Sequence, residues 1–300
     1  MTLANPQECV DRLIAMLNNE SKSYLCTDYI KDLKNPKAQK VLNNRHQICS
    51  WMYQLLDHQN IDRKIAYHGM NLLDRYVSSM ISNRDKHQQD VVETCIGGSQ
   101  LELASLTALY LAMKLNGRQS QPLQISGFEM IGRGKFKAAD ICRMELKMLS
   151  ELSWHVFPPT SSEYVDNYVS LLKYFHCRVQ GLPSQSYQVL PPLFIKIFEV
   201  SVFLTELAVL HYFIVPKKAS KVAFASVLIA MQKFQCYFTG EEYCAFLTVL
   251  ETIGLSQENQ DVVLCTERLQ ELYDENMPDM HEEQKYSERG LSSPVLVTQM

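Results

Sequence analysis

The chain has 300 residues, is 46% hydrophobic and 21% charged, and carries a formal net charge of −4. That is enough for about two globular domains with sizeable cores, and the lack of a basic excess argues against a protein built around nucleic-acid binding. The nine cysteines are odd in number and form no Cys-x-x-Cys pair, which fits reduced thiols in a nuclear or cytoplasmic protein rather than a disulfide framework or zinc site. No apolar run reaches membrane length, and the N-terminus shows no signal pattern.

The spacing of Val10, Leu13, Ile14 and Leu17 predicts a short amphipathic helix from Pro6 to Leu17. The polar stretch from Asn18 to Asn44 follows, with Tyr24-Leu25 and Tyr29-Ile30 as its candidate docking points. A helix from Arg45 to Leu56 places Ile48, Trp51, Met52 and Leu55 on one side. The clearest amphipathic stripe runs from Arg63 to Ile81, through Ile65, Gly69, Leu72, Leu73, Tyr76 and Met80, with Asp74 beside it. Asn83 to Gln100 reads as a long polar connection.

Leu101 to Lys114 is apolar almost all the way round a helical wheel, so it predicts a buried central helix; Ala104, Ser105, Ala108 and Ala112 are small enough to let neighbours approach closely. After a turn at Gly117–Pro122 and a single helical turn at Phe128–Ile131, a helix from Phe136 to Leu152 carries Glu145 among apolar residues. Pro158-Pro159 forces an extended exit from Trp154. Thr160-x-x-Glu163 is a capping box opening the next helix, to Phe175. Further helices are expected at Pro191–Leu210, Ala219–Gln232, Thr239–Ile253 and Ser256–Tyr273. The Ala219 helix repeats the small-and-large apolar rhythm of the Leu101 helix, which suggests two similar helical domains. No segment alternates with period two, so the fold class is all-α. From Asp274 the chain is polar, and a flexible tail is expected at 275–300.

Catalytic chemistry is hard to find. Gly132-Arg133-Gly134-Lys135 lacks the spacing and the preceding strand of a phosphate loop. The histidines do not pair with Cys or acids at metal spacing, so neither a metal nor a cofactor is expected. The lysines at 31, 34, 37 and 40 and at 217, 218 and 221 read as solvated faces. More informative are four charges attached to apolar helices: Arg45, Asp74, Lys114 and Glu145. A charge on a mostly buried helix is costly unless paired. Arg45 with Asp74 fits an internal ion pair between neighbouring helices. Lys114, with donors, and Glu145, with acceptors, suit the backbone groups at the end of a partner's helix.

These residues resemble the cyclin box of cyclins. The resemblance is carried by Arg45…Trp51-Met52, by Asn71-Leu72-Leu73-Asp74-Arg75-Tyr76-Val77-Ser78, by Leu101-x-Leu103…Leu111-Ala112-x-Lys114, and by Arg143-Met144-Glu145…Leu149…Pro159-Thr160. The second half, with His211 to Met231, resembles the more divergent second cyclin fold. The resemblance implies two tandem five-helix folds at 45–158 and 159–274, each around a buried third helix, preceded by an N-terminal helix and polar connection at 1–44. All five signature positions of the family are filled, by Arg45, Asp74, Leu103, Lys114 and Glu145. Arg45 and Asp74 would pair internally and Leu103 would belong to the core. Lys114 and Glu145 would bind a cyclin-dependent kinase, with Leu115, Ile131, Leu149, Trp154 and Val156 meeting the same kinase region.

The function so implied is non-enzymatic: a regulatory subunit that activates a cyclin-dependent serine/threonine kinase in cell-cycle control, in the nucleus or cytoplasm. Kinase substrates or inhibitors would be further partners, and neither nucleic acid nor membrane is expected. The alternative is a cyclin-fold transcriptional adapter or a scaffold without kinase activation. The family's substrate-docking groove falls on Gln47, Ile48, Trp51 and Glu102. Asn44 and Gln47 stand on its apolar positions and Glu102 on a Gln position, so docking of an Arg-x-Leu motif is not expected.

Overall fold

The structure, a computed structural model, describes residues 6–24, 26–31, 37–82, 98–116, 124–182 and 192–276. These residues form eleven α-helices and two short 3₁₀ turns, with no strand among them. The helices are α1 (Pro6–Ser23), α2 (Lys37–His58), α3 (Lys64–Ser82), α4 (Gly98–Leu115), α5 (Ile125–Ile131), α6 (Ala138–Glu151), α7 (Ser161–Val179), α8 (Pro192–Leu210), α9 (Ala219–Lys233), α10 (Gly240–Thr252) and α11 (Gln260–Asn276). Most of the connection expected at 83–100, the turn at 117–122, the loop after Leu182 and nearly all of the expected tail lie outside the described residues. No described helix is long and apolar enough to cross a membrane.

The chain divides into two compact units. Among the described residues, one comprises those from Lys22 to Pro158 with Val209–Pro216; the other comprises those up to Ser21, those from Pro159 to Ala208 and those from Lys217 to Asn276. The helix carrying Arg45 begins at Lys37 rather than at Arg45. Helix α1 up to Ser21 groups with the second unit.

In the first unit α4 is the hub, packed against α3, α5 and α6. Ala104, Ala108, Leu109, Leu111 and Ala112 are all buried, so the helix has almost no wet face between Glu102 and Lys114. The small residues explain the close packing. On α3, a Cβ added to Gly69 would stand 3.6 Å from the Leu109 Cα and 3.2 Å from the Met52 Sδ. A methyl group there would be in ordinary van der Waals contact with the α4 backbone and tight only against the flexible Met52 side chain of α2, so a small residue suits this close approach of α3 and α4. Leu103 sits at the edge of this core, partly exposed, rather than inside it.

In the second unit α9 is buried along nearly its whole length, against α7 and α11. The capping box read from the sequence opens α7: Glu163 N donates to Thr160 Oγ1 at 3.1 Å and Thr160 N donates to Glu163 Oε2 at 2.8 Å. Helix α1 runs beyond the expected Leu17 to Ser23, and its last turns have a partner far along the chain. The buried Glu20 carboxylate accepts from Ser220 N at 3.0 Å and from Ser220 Oγ at 2.6 Å. It thereby caps the start of α9, whose own N-cap residue, Lys218, supplies no side-chain bond. Leu13 is fully buried on the same helix.

Candidate functional site

The four charged residues singled out by the sequence resolve into two pairs of different character. Arg45 on α2 and Asp74 on α3 are buried, with side chains 4% and 8% exposed. Arg45 Nε donates to Asp74 Oδ1 at 3.0 Å and Arg45 Nη2 donates to Asp74 Oδ2 at 2.9 Å, a fork matched to a carboxylate. Arg45 Nη1 donates to the Val209 carbonyl at 2.8 Å, and the Tyr29 hydroxyl donates to Asp74 Oδ1 at 2.8 Å. Burial works against the Arg45 charge, but the Asp74 charge and hydrogen bonds outweigh it, and the guanidinium is held above its usual pKa. Burial pushes the Tyr29 phenol upward, and the Asp74 charge adds to the effect. The pair thus joins α2 and α3 to the segment before α2 and to the end of α8. The sequence offers Tyr29 only as a docking residue; its bond to Asp74 has no local sequence signal.

Lys114 and Glu145 form the other pair. Lys114 stands in the last turn of α4 and Glu145 in the middle of α6, which packs on it. Lys114 Nζ lies 2.8 Å from Glu145 Oε1; the lysine side chain is 56% exposed and the glutamate 11%. The hydrogen bond from Lys114 to Glu145 raises the lysine pKa. Lys114 Nζ also sits 5.7 Å from the Tyr110 ring centroid. The ammonium thus reaches solvent with donors to spare, on a base of buried carboxylate and aromatic ring.

The apolar residues expected beside this pair divide. Leu115 and Val156 are half-buried. Trp154 is 68% exposed, displayed by a turn in which Ser153 and Trp154 adopt positive φ of 49° and 61°. Leu149 is only 7% exposed, so it underpins the face rather than presenting itself; Leu146 on the same helix is 63% exposed. Ile131 lines the cleft described below.

The segment after α6 is fastened by contacts that the sequence pattern does not convey. Arg75 Nη1 donates to the His155 carbonyl at 2.7 Å and Nη2 to the Ser23 carbonyl at 3.2 Å. The Arg75 guanidinium lies 5.1 Å from the Tyr24 ring centroid, and Tyr24 meets His155 edge-on. Phe157 stacks on His68 at 5.1 Å. These contacts hold Trp154 and Val156 in place. The Asn-Leu-Leu-Asp-Arg run that marked Asp74 contains Arg75, but nothing local shows what it would clamp.

The expected groove residues Gln47, Ile48, Trp51 and Glu102 come together in a cleft of about 520 Å³ between α2, α4 and the turn from α5 to α6. Among the described residues no group of three His, Cys, Asp or Glu is placed to hold a metal ion.

Comparison with known proteins bears on the same region. Residues 12–157 match the family model described as the cyclin N-terminal domain. The chain is 26% identical over 156 residues to the G1/S-specific cyclin-E1 of Rattus norvegicus, covering 52% of this chain and 33% of that protein. It is 20% identical over 166 residues to the G1/S-specific cyclin-D1 of Danio rerio, covering 54% of this chain and 50% of the relative. The matched region thus spans between a third and a half of these relatives' length. The fold is similar to that of a viral cyclin from herpesvirus saimiri, with a TM-score of 0.50 and 13% identity, over 77% of this chain and 86% of that one. The match covers the helices that carry both charged pairs, and over this region the chain belongs to the cyclin family.

Proposed function

We propose that the chain is a regulatory subunit that binds a cyclin-dependent serine/threonine protein kinase and activates it allosterically in cell-cycle control. The chain would not itself be the enzyme. The observation that carries this reading is the half-exposed Lys114 ammonium, held by the buried Glu145 and flanked by exposed Leu146.

The face combines charge and apolar surface in a way suited to the end of a helix in a partner. Lysine supplies donors for the unpaired carbonyls of a helix C-terminus, and the free glutamate lone pairs accept N–H groups. Trp154, Leu115 and Val156 supply apolar contact of the kind that anchors interfaces. Leu149 and the clamp made by Arg75 keep that surface rigid, which lowers the cost of ordering it on binding.

Activation needs more than affinity. The chain must bind the active arrangement of the kinase, in which the helix bearing the kinase's own Glu is turned inward to pair with its ATP-positioning Lys, better than the inactive one. A subunit with equal affinity for both states would shift nothing.

Affinity capture of the protein from native extract, followed by a kinase assay on the captured material, tests the reading. Wild type should recover protein kinase activity, and the Lys114→Ala/Glu145→Ala double variant should recover none. A folded wild type that captures no kinase would overturn it.

A further inference from the structure

The two units repeat one position with different chemistry. Ala112-Met113-Lys114 at the end of α4 matches Ala230-Met231-Gln232 at the end of α9. On α6 the buried Ile141, Met144 and Met148 have the spacing of the buried Val262, Cys265 and Leu269 on α11. That register sets Thr266 in the place of Glu145, as Gln232 stands in the place of Lys114. The second unit therefore keeps the position and lacks the charged pair, so it does not repeat the contact proposed for the first.

Instead, Gln232 and Thr266 line a pocket of about 520 Å³ between the end of α9, the start of α10 and α11, a size that accommodates a large side chain with its neighbours. Its apolar part is made by Leu228, Met231, Phe238 and Val263. Phe238 is held by ring contacts with His176 and Phe194, at 6.0 and 6.1 Å. The rim is tied where the Tyr243 hydroxyl donates to Gln257 Oε1 at 3.1 Å. A pocket braced in this way takes a side chain with little reordering. Val263 is 39% exposed, so apolar surface at the rim faces solvent.

Charge selects the occupant. Among the described residues, Glu267 is the only charged residue lining the pocket; it is exposed and forms no ion pair with them. The same sign extends beyond the pocket. From Gln232 to Asn276 the chain holds nine carboxylates against two basic side chains. Both cations are engaged, Lys233 with Asp274 and the Tyr273 ring, and Arg268 with Glu271.

We infer that this pocket docks a basic segment of a partner protein through one large apolar side chain. That side chain would lie against Leu228, Met231 and Phe238. Gln232 and Thr266, each with a donor and an acceptor, would hydrogen-bond the backbone of the segment. A flanking Lys or Arg would meet Glu267. The inference does not depend on kinase binding.

The test is fluorescence-polarisation binding to the purified full chain, with no kinase present, so a failure of kinase recruitment leaves the outcome readable. The probes are three labelled peptides: Gly-Ser-Lys-Lys-Trp-Lys-Ser-Gly, a counterpart with Glu for each Lys, and one with Ala for Trp. The basic Trp peptide should bind most tightly, more so at low salt than at physiological salt. Exchange of its Trp for Ala should weaken binding by about tenfold or more, as for a buried aromatic anchor. Glu267→Gln should weaken the basic Trp peptide by roughly fivefold, the upper end of what one surface ion pair supplies. Val263→Lys, which sets a cation at the rim, should weaken it at least as much. Glu251→Gln, an exposed carboxylate of α10 outside the pocket, should leave it unchanged. All three positions are exposed, so no variant touches the core. Equal binding of the basic and acidic peptides, preference for the acidic one, binding of none, or equal losses from Glu251→Gln and Glu267→Gln would overturn the inference.

Discussion

Removing the Asp74 carboxylate should destabilise the first unit severely. Asp74→Ala would leave the Arg45 guanidinium, 4% exposed, facing an apolar gap with three of its hydrogen bonds gone. Breaking a buried pair from one side costs about 3–5 kcal/mol, because the remaining charge stays desolvated. The Tyr29 hydroxyl loses its acceptor as well, a bond worth about 0.5–1.5 kcal/mol net. The two losses share one network and are not additive, so the expected total is roughly 4 kcal/mol. The protein provides its own probe: its two tryptophans, Trp51 and Trp154, both lie in the first unit. Urea denaturation followed by tryptophan fluorescence therefore reports the unit that contains the pair. Two further variants separate charge from contact. Tyr29→Phe should cost about 1 kcal/mol. The double variant Arg45→Met/Asp74→Leu should cost less than Asp74→Ala alone, since it leaves no orphaned charge. A change for Asp74→Ala within about 0.5 kcal/mol, the range of ordinary surface substitutions, would refute the reasoning. So would a double variant less stable than the single one.

Glu20 should set a pH dependence in the second unit. Burial raises its pKa despite the bonds from Ser220, so its contribution is fully present below the usual glutamate pKa and is lost as pH rises through the raised folded value. Glu20→Gln, which keeps an acceptor for Ser220, should match or exceed wild-type stability at neutral pH and flatten the gain seen on mild acidification; an unchanged pH slope in thermal melts would contradict this. Glu20→Ala, which orphans the Ser220 N–H, should cost about 1–3 kcal/mol, measured in the same melts. Gly69→Leu should destabilise by about 1–3 kcal/mol through overpacking against Met52 and the Leu109 backbone, and a neutral result in urea denaturation would show that α3 and α4 have room to part. Lys114→Ala should change stability by less than about 1 kcal/mol, because its pair is half-exposed; a larger loss would make Lys114 a structural residue rather than a binding one.

The sequence was most legible where the information is local. The all-apolar wheel of Leu101–Lys114 predicts a buried hub, and α4 is that hub. Thr160-x-x-Glu163 predicts a helix start, and both reciprocal bonds are present. Where the partner is remote, the pattern failed. Asn18 to Ser23 looks too polar for a packed helix, yet α1 continues through it because Glu20 is buried as the cap of a helix 200 residues away in the chain. The start of α2 at Lys37 was missed for a related reason: Ala38, Val41 and Leu42 are too few and too widely diluted by lysine and asparagine to show an apolar stripe. At the candidate site, residue identities were readable but orientation was not. Leu146 and Leu149 are chemically alike, and only the packing of α6 decides that the first is exposed and the second buried. The engagement of Glu102 by Lys135 depends on a turn folding back across the cleft, which no spacing rule conveys.

The central claim is that the Lys114–Glu145 face recruits and activates a kinase. The most direct measurement is to titrate the purified chain into the purified monomeric cyclin-dependent kinase that it captures, following phosphate transfer to a peptide substrate. With wild type, activity should rise from the basal level and saturate. The Lys114→Ala/Glu145→Ala variant, melting near the wild-type temperature, should bind roughly 2–5 kcal/mol more weakly, as for truncated charges in an interface, and so leave the kinase near its basal rate. Saturable binding of wild type without any rise in kinase activity, or a double variant that activates as well as wild type, would contradict it.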